Sequence, residues 1–150
     1  MSVRISVTGD KELDSKLKAM SAKMSHSVLG AAHYAAAKPL IEKARLLAPE
    51  GPNGYLVDSI GAIKTPSKKA NEVGEVKAGP RRRAPYKGFH GHLVERGTKE
   101  RETKSGANRG VMPEHPFMEP AFNQTKGTIE SRIRTELKKQ ILSVVKKGRA

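Results

Sequence analysis

The sequence predicts an α+β fold: helices at the front, a small antiparallel sheet in the middle and a long helix at the end. Three observations carry it. Residues 25–47 form an alanine-rich run with helical character, residues 61–79 hold two short β-prone runs, and apolar residues from Phe122 to Val144 recur at helical spacing. One domain spanning 1–150 accommodates all of them, and no internal repeat is visible.

The elements follow in order. Val3, Ile5 and Val7 alternate with Arg4 and Ser6, as in a short strand with one apolar face. Gly9 ends it and Asp10 caps a helix striped by Leu13, Leu17, Met20 and Met24. A second helix runs from Ser25 or Ser27 to Leu47. Pro39 lies inside it, so a kink over Ala35 to Pro39 or a break into two helices is expected, and Ala48-Pro49 is the stop. Pro49, Gly51, Pro52 and Gly54 make a turn, followed by a helical turn at Tyr55 to Ile60. "GAIKTPS" and "NEVGEVKAG" read as antiparallel strands joined by a polar turn around Ser67 to Asn71.

"PRRRAPYKGFHGH" is a basic loop bounded by Pro80 and Pro85. "GHLVERGTK" is a short helix or a strand, with Leu93 and Val94 buried and Gly97 ending it. Residues 99–110 have no apolar periodicity and read as a flexible loop, about 99–111 at its widest. "MPEHPFMEPAF" then concentrates Pro113, Pro116, Pro120, Phe117 and Phe122 in an otherwise aromatic-poor chain. Pro113 and Pro116 hold it extended, Phe117 and Met118 supply apolar bulk, and Pro120 suits the first turn of the last helix. That helix is expected over about 119–146, with Phe122, Ile129, Ile133, Leu137, Ile141 and Val144 or Val145 on one stripe. Lys146, Lys147 and Arg149 follow at its negative end.

Composition narrows the function. Only 36% of residues are hydrophobic and 4% aromatic, so part of the buried surface is expected from a partner, a homo-oligomer above all. There is no cysteine, hence no disulfide or thiolate metal site. No apolar run reaches the ~20 residues of a membrane span, and the N-terminus lacks a signal-peptide core; the expectation is a soluble, cytoplasmic chain without membrane contact.

Enzyme signatures are sparse. No nucleophile elbow, phosphate-cradling loop or dinucleotide fingerprint occurs. His90 and His92, which would share one face of a strand, with Glu95 and His115 are the nearest approach to a metal-dependent hydrolase. The competing reading gives Glu95 an arginine partner or a backbone cap, and leaves the histidines solvated or packed. Neither an enzyme nor a cofactor is predicted.

The net charge of +14 points to a polyanion or an acidic partner. Arg81, Arg82, Arg83 and Lys87, with Lys77, Tyr86 and Phe89 nearby, are the candidate phosphate contacts of a DNA-binding accessory protein. A solvated loop, or a bridge to acidic residues of a neighbouring subunit, competes with that reading.

Three landmarks stand in order. An alanine-rich helix closes on Ala48-Pro49 before Gly54, Leu56, Ser59 and Ile60. Tyr86 leads to Val94, Glu95, Gly97 and Thr98. Pro116, Phe117, Met118, Pro120 and Ala121 complete the set. Together they cover about 25–141, and the chain resembles the minor tail component, tail-completion or neck (head–tail joining) proteins of lambdoid, long-tailed phages and prophages. It departs from them in Arg96, where an aromatic is common, and in His90 and His92. The resemblance implies a virion structural protein, assembled in the host cytoplasm. It would form or cap a ring at the neck or tail end, such as a hexamer, alongside other neck and tail proteins and with a non-specific DNA contact. Its candidate anchors here are Glu95, Gly97, Pro116, Phe117, Met118, Pro120 and Phe122. Phe117 and Met118 would face their own core or a neighbouring subunit, the former being favoured, and residues 99–110 would order on assembly.

Overall fold

A computed structural model describes residue 11, residues 22–65 and residues 75–147. The architecture is α+β. Helix α1 (Ala22–Ala36), α2 (Lys38–Leu47) and the short α3 (Tyr55–Ser59) precede strands β1 (Ile60–Thr65) and β2 (Glu75–Pro80). A 3-10 turn (Gly88–His90) then leads into α4 (Gly91–Arg96), and α5 (Met118–Lys147) ends the chain. The strand expected at Val3 to Val7, the cap at Asp10, the stripe residues Leu13, Leu17 and Met20, and the turn around Ser67 to Asn71 lie outside the described residues, as does the Met24 side chain.

Pro39 divides the alanine-rich helix without turning the chain away. Its missing N–H leaves the Ala35 carbonyl without its helical donor. Ala37, at the joint, keeps helical dihedrals (φ −71°, ψ −14°). The bonds Ala37 N–H to His33 O and Ile41 N–H to Ala37 O, both 3.1 Å, bridge the joint. Ala48 is then pushed into extended backbone (ψ 133°) by Pro49, which ends α2.

Both halves pack along α5. Val28, Ala32 and Ala36 of α1, Leu40 and Ala44 of α2, and Ile129, Ile133, Leu137 and Ile141 of α5 share one buried cluster. Alanine carries no side chain beyond Cβ, so the helix axes can approach closely. The α5 stripe follows the expected spacing, with Phe122 and Val144 partly buried at its ends; the Val145 side chain lies outside the described set. Thr125, also buried, satisfies its hydroxyl on the Ala121 carbonyl at 2.7 Å.

Among the described residues the sheet is one antiparallel pair, with Ile60 opposite Pro80 and Gly61 opposite Gly79. Arg81 N–H donates to Ser59 O at 3.0 Å, which makes the adjoining Ile60–Pro80 pair a non-hydrogen-bonded one. Pro80 therefore loses nothing by lacking an N–H. The Ile60 carbonyl points off the edge, and Arg45 of α2 claims it with Nε (3.0 Å) and Nη2 (2.8 Å). That fork ties the helical layer to the hairpin.

Two consequences can be measured. Ile133→Ala, at a position 2% exposed, should cost about 2–5 kcal/mol in urea unfolding. His33 on α1 has its pKa lowered from 6.5 by burial. The unfolded chain therefore binds this proton more readily than the folded one, and stability should fall as pH drops below about 6.5 and stay level above it. Thermal melts between about pH 5 and 8 should show a shallower acid limb in His33→Gln than in wild type.

Candidate assembly site

The start of α5 is held by one side chain. The Phe117 carbonyl accepts the first helical bond, from Ala121 N–H at 3.2 Å. The Glu95 carboxylate, on α4 and only 7% exposed, accepts from the backbone amides that precede it. Oε2 takes Phe117 N–H (2.9 Å) and Met118 N–H (3.0 Å), and Oε1 takes Glu119 N–H (3.1 Å). The next residue is Pro120, which has no N–H. All four amide positions that a helix start leaves without an internal acceptor are thereby accounted for. A carboxylate here also sits at the positive end of the helix dipole.

The segment leading into α5 runs as a strap against α4. His115 N–H donates to Val94 O at 2.8 Å, using one of the carbonyls that α4 leaves free at its end. Thr98 and Met112 close the stem below it: Thr98 N–H reaches Met112 O (2.9 Å) and Met112 N–H reaches Thr98 Oγ1 (3.0 Å). Gly97 turns the chain between these contacts at φ +66°. A Cβ there would stand 2.7 Å from Met112 O and 2.9 Å from Glu114 N. Only glycine combines that dihedral with that clearance.

The expected anchors separate into two groups. Glu95, Gly97, Phe117 (0% exposed) and Met118 (2%) are built into this clasp, and both apolar side chains lie in the chain's own core. Phe122 and Pro120 are partly buried and Pro116 is exposed. Above the strap lies an open cavity of about 360 Å³, lined by Pro49, Tyr55, Leu56, His90, Val94, Met112 and His115 among others. All three stretches singled out in the sequence thus border or support one concavity.

Residues 99–110, the segment expected as a flexible loop, carry internal hydrogen bonds. They are exposed, apart from half-buried Thr103, and fold back on themselves as a narrow hairpin, with Glu102 bridged to Asn108. Thr103 N–H bonds Ala107 O, Gly106 N–H bonds Thr103 O, and the Asn108 side chain reaches Glu100. The turn chemistry of Thr103, Ser105 and Gly106 was the available signal.

The histidines do not form the strand face expected of them. His90 ends a 3-10 turn and His92 lies in α4, where its Nδ1 is 2.9 Å from Phe89 O. Among the described residues no group of three or more His, Asp or Glu is placed to hold a metal. Both Glu95 oxygens are occupied by amides. Leu93, expected buried, is only partly so.

The arginine run also divides. Arg81 folds back onto the end of α3: Nε donates to Ser59 O (3.0 Å) and Nη2 to Asp58 O (3.3 Å), and its guanidinium stacks 3.4 Å above the Tyr86 ring. Gly88 N–H donates to Arg81 O, and any side chain at Gly88 would fall on Ser59. Arg82 and Arg83 are exposed, as is Lys87, whose Nζ reaches the Tyr55 hydroxyl at 3.3 Å. Three adjacent arginines look equivalent in sequence. The hydrogen bonds that make Arg81 the structural one reach partners 22 and 23 residues away.

The clasp is directly testable. Glu95→Ala should destabilise the fold by about 2–3 kcal/mol, since buried amides lose a charged acceptor. Hydrogen exchange should locate the loss at Phe117, Met118 and Glu119, while the amides of α1 stay protected relative to global stability. Glu95→Gln, which keeps one accepting oxygen, should cost less.

Among the described residues no helix is long and apolar enough to cross a membrane. Comparisons with protein-family models, with curated proteins and with solved structures returned no match, so the clasp and its cavity stand on their own geometry.

Proposed function

We propose that this chain is a virion structural protein of a long-tailed phage or prophage, acting in tail completion or head–tail joining as part of a ring at the neck or tail end. The observation that supports this reading is the clasp. The stretches Val94 to Thr98 and Pro116 to Ala121, which carry the resemblance, bond to each other through Glu95. The third, Ala48 to Ile60, lines the same cavity. Residues that stand far apart in sequence thus act as one unit, which favours a shared architecture over chance similarity of short motifs.

A ring subunit needs a rigid body and a part that reaches its neighbours. Here α1, α2 and α5 supply the body. The hairpin 99–110 projects from a stem closed at Thr98 and Met112, and its exposure leaves it free to engage a neighbouring subunit.

The test is to shorten that arm. Replacing residues 101–109 by an Asn-Gly turn preserves the stem, so the unfolding midpoint should stay within about 0.5 kcal/mol of wild type. In infected or induced cells the shortened chain should give filled heads and separate tails that fail to join, seen by negative-stain microscopy. Normal joining with the shortened arm would sink the arm's role. Flanking genes that encode no portal, capsid or tail-tube protein would sink the reading as a whole.

A further inference from the structure

We propose that the outer face of the C-terminal half of α5 binds the phosphate backbone of duplex nucleic acid. This surface is separate from the arginine loop, and the proposal does not rest on the assembly reading.

The inner stripe of α5 is spent on the core through Ile129, Ile133, Leu137 and Ile141. Away from it stand Arg132, Arg134, Lys138, Lys139 and Lys146, all exposed, against two acids: half-buried Glu136 and, four residues before Arg134, exposed Glu130. Among the described residues none of these five cations has an ion pair or side-chain hydrogen bond. A chain carrying +14 thus leaves an uncompensated array on its longest element.

The array has an order. Arg132, Lys139 and Lys146 recur every seven residues and form a row along one flank. Arg134 and Lys138, four apart, form a shorter row on the other. Between the rows runs the outermost ridge, made of Thr128, Ser131, Thr135 and Leu142. The ridge is low: Ser131 and Thr135 fold their hydroxyls back onto helix carbonyls at 3.0 Å. From Arg132 to Lys146 the array extends for about 21 Å at ~1.5 Å per residue.

A low ridge flanked by two rows of cations matches a duplex, in which two phosphate strands border a major groove about 12 Å wide that admits a helix. A linear array also suits a regularly spaced polyanion better than a single acidic patch on a protein. Leu142 is the only large apolar side chain on the ridge, too little to seat the helix in a bilayer surface. The loop offers less: Arg81 is committed to Ser59 and Asp58, leaving Arg82, Arg83 and Lys87.

The experiment measures binding of the full chain to a fluorescent duplex of arbitrary sequence, by anisotropy, between about 50 and 200 mM salt. The probe variant is R132Q/R134Q/K138Q/K139Q; glutamine keeps helix propensity, and circular dichroism checks the fold. Affinity should fall at least tenfold at the low end of that range. The slope of log K against log salt should lose about 3–4 units. The charge-preserving variant R132K/R134K/K138R/K139R should bind as wild type, and R82Q/R83Q should retain most of the affinity. If the fourfold variant is poorly folded, R132Q/K139Q and R134Q/K138Q should each lose about half of that slope. The proposal is overturned if wild type fails to bind at low salt or if the fourfold variant binds like wild type. It is equally overturned if polyglutamate or phosphatidylserine vesicles bind as tightly as the duplex and with the same dependence on these residues.

Discussion

A single carboxylate sets where the longest helix begins. Glu95 collects the amides of Phe117, Met118 and Glu119, and Pro120 removes the fourth demand. The position of α5 along the core follows from that start. Were Glu95 to hold the chain one residue further along, the apolar stripe of α5 would rotate by about 100°, and Ile129, Ile133 and Leu137 would leave the cluster they share with α1 and α2. Phe117 and Met118, buried beside the carboxylate, oppose such a slip from the other side, because exposing them would forfeit about 1.5–3 kcal/mol each. Polar capping and apolar burial thus enforce the same register.

Much of the fold was legible because its signals are local. Helix periodicity located α5 to within a residue at each end, Pro39 located the joint, and the two β-prone runs located β1 and β2. The features that escaped are pairings between distant residues. Arg45 on the Ile60 carbonyl and Arg81 on Ser59 answer demands created by strand pairing, which no window of sequence displays. Glu95 was legible as to kind, a carboxylate in an apolar context with a backbone cap among its readings. Its partner helix, about two dozen residues downstream, was not. The histidines misled for the same reason: HxH shares a face only on a strand, and the chain there is helical.

The distribution of charge fits this division. Arg45 and Arg81 are structural cations that answer backbone carbonyls instead of carboxylates. The pairs that form among the described residues, Lys38 with Glu42 and Lys77 with Glu75, are exposed and contribute little to stability. Among the described residues the fold therefore rests on aliphatic packing and backbone satisfaction, and the five exposed cations of outer α5 are free of structural duty.

The clasp recognises main chain. Glu95 reads amides, Val94 and Thr98 exchange hydrogen bonds with the strap backbone, and Gly97 matters for the side chain it lacks. Of the residues clasped, Glu119 is exposed, and no contact with Glu95 depends on its identity. Such a device can survive extensive sequence drift with its geometry intact. The signature it would leave in distant homologues is a spacing rule: an acid, two residues to a glycine, then about two dozen residues from the acid to a proline in the opening turn of a helix. A search built on that spacing would detect the architecture where residue-by-residue similarity has faded.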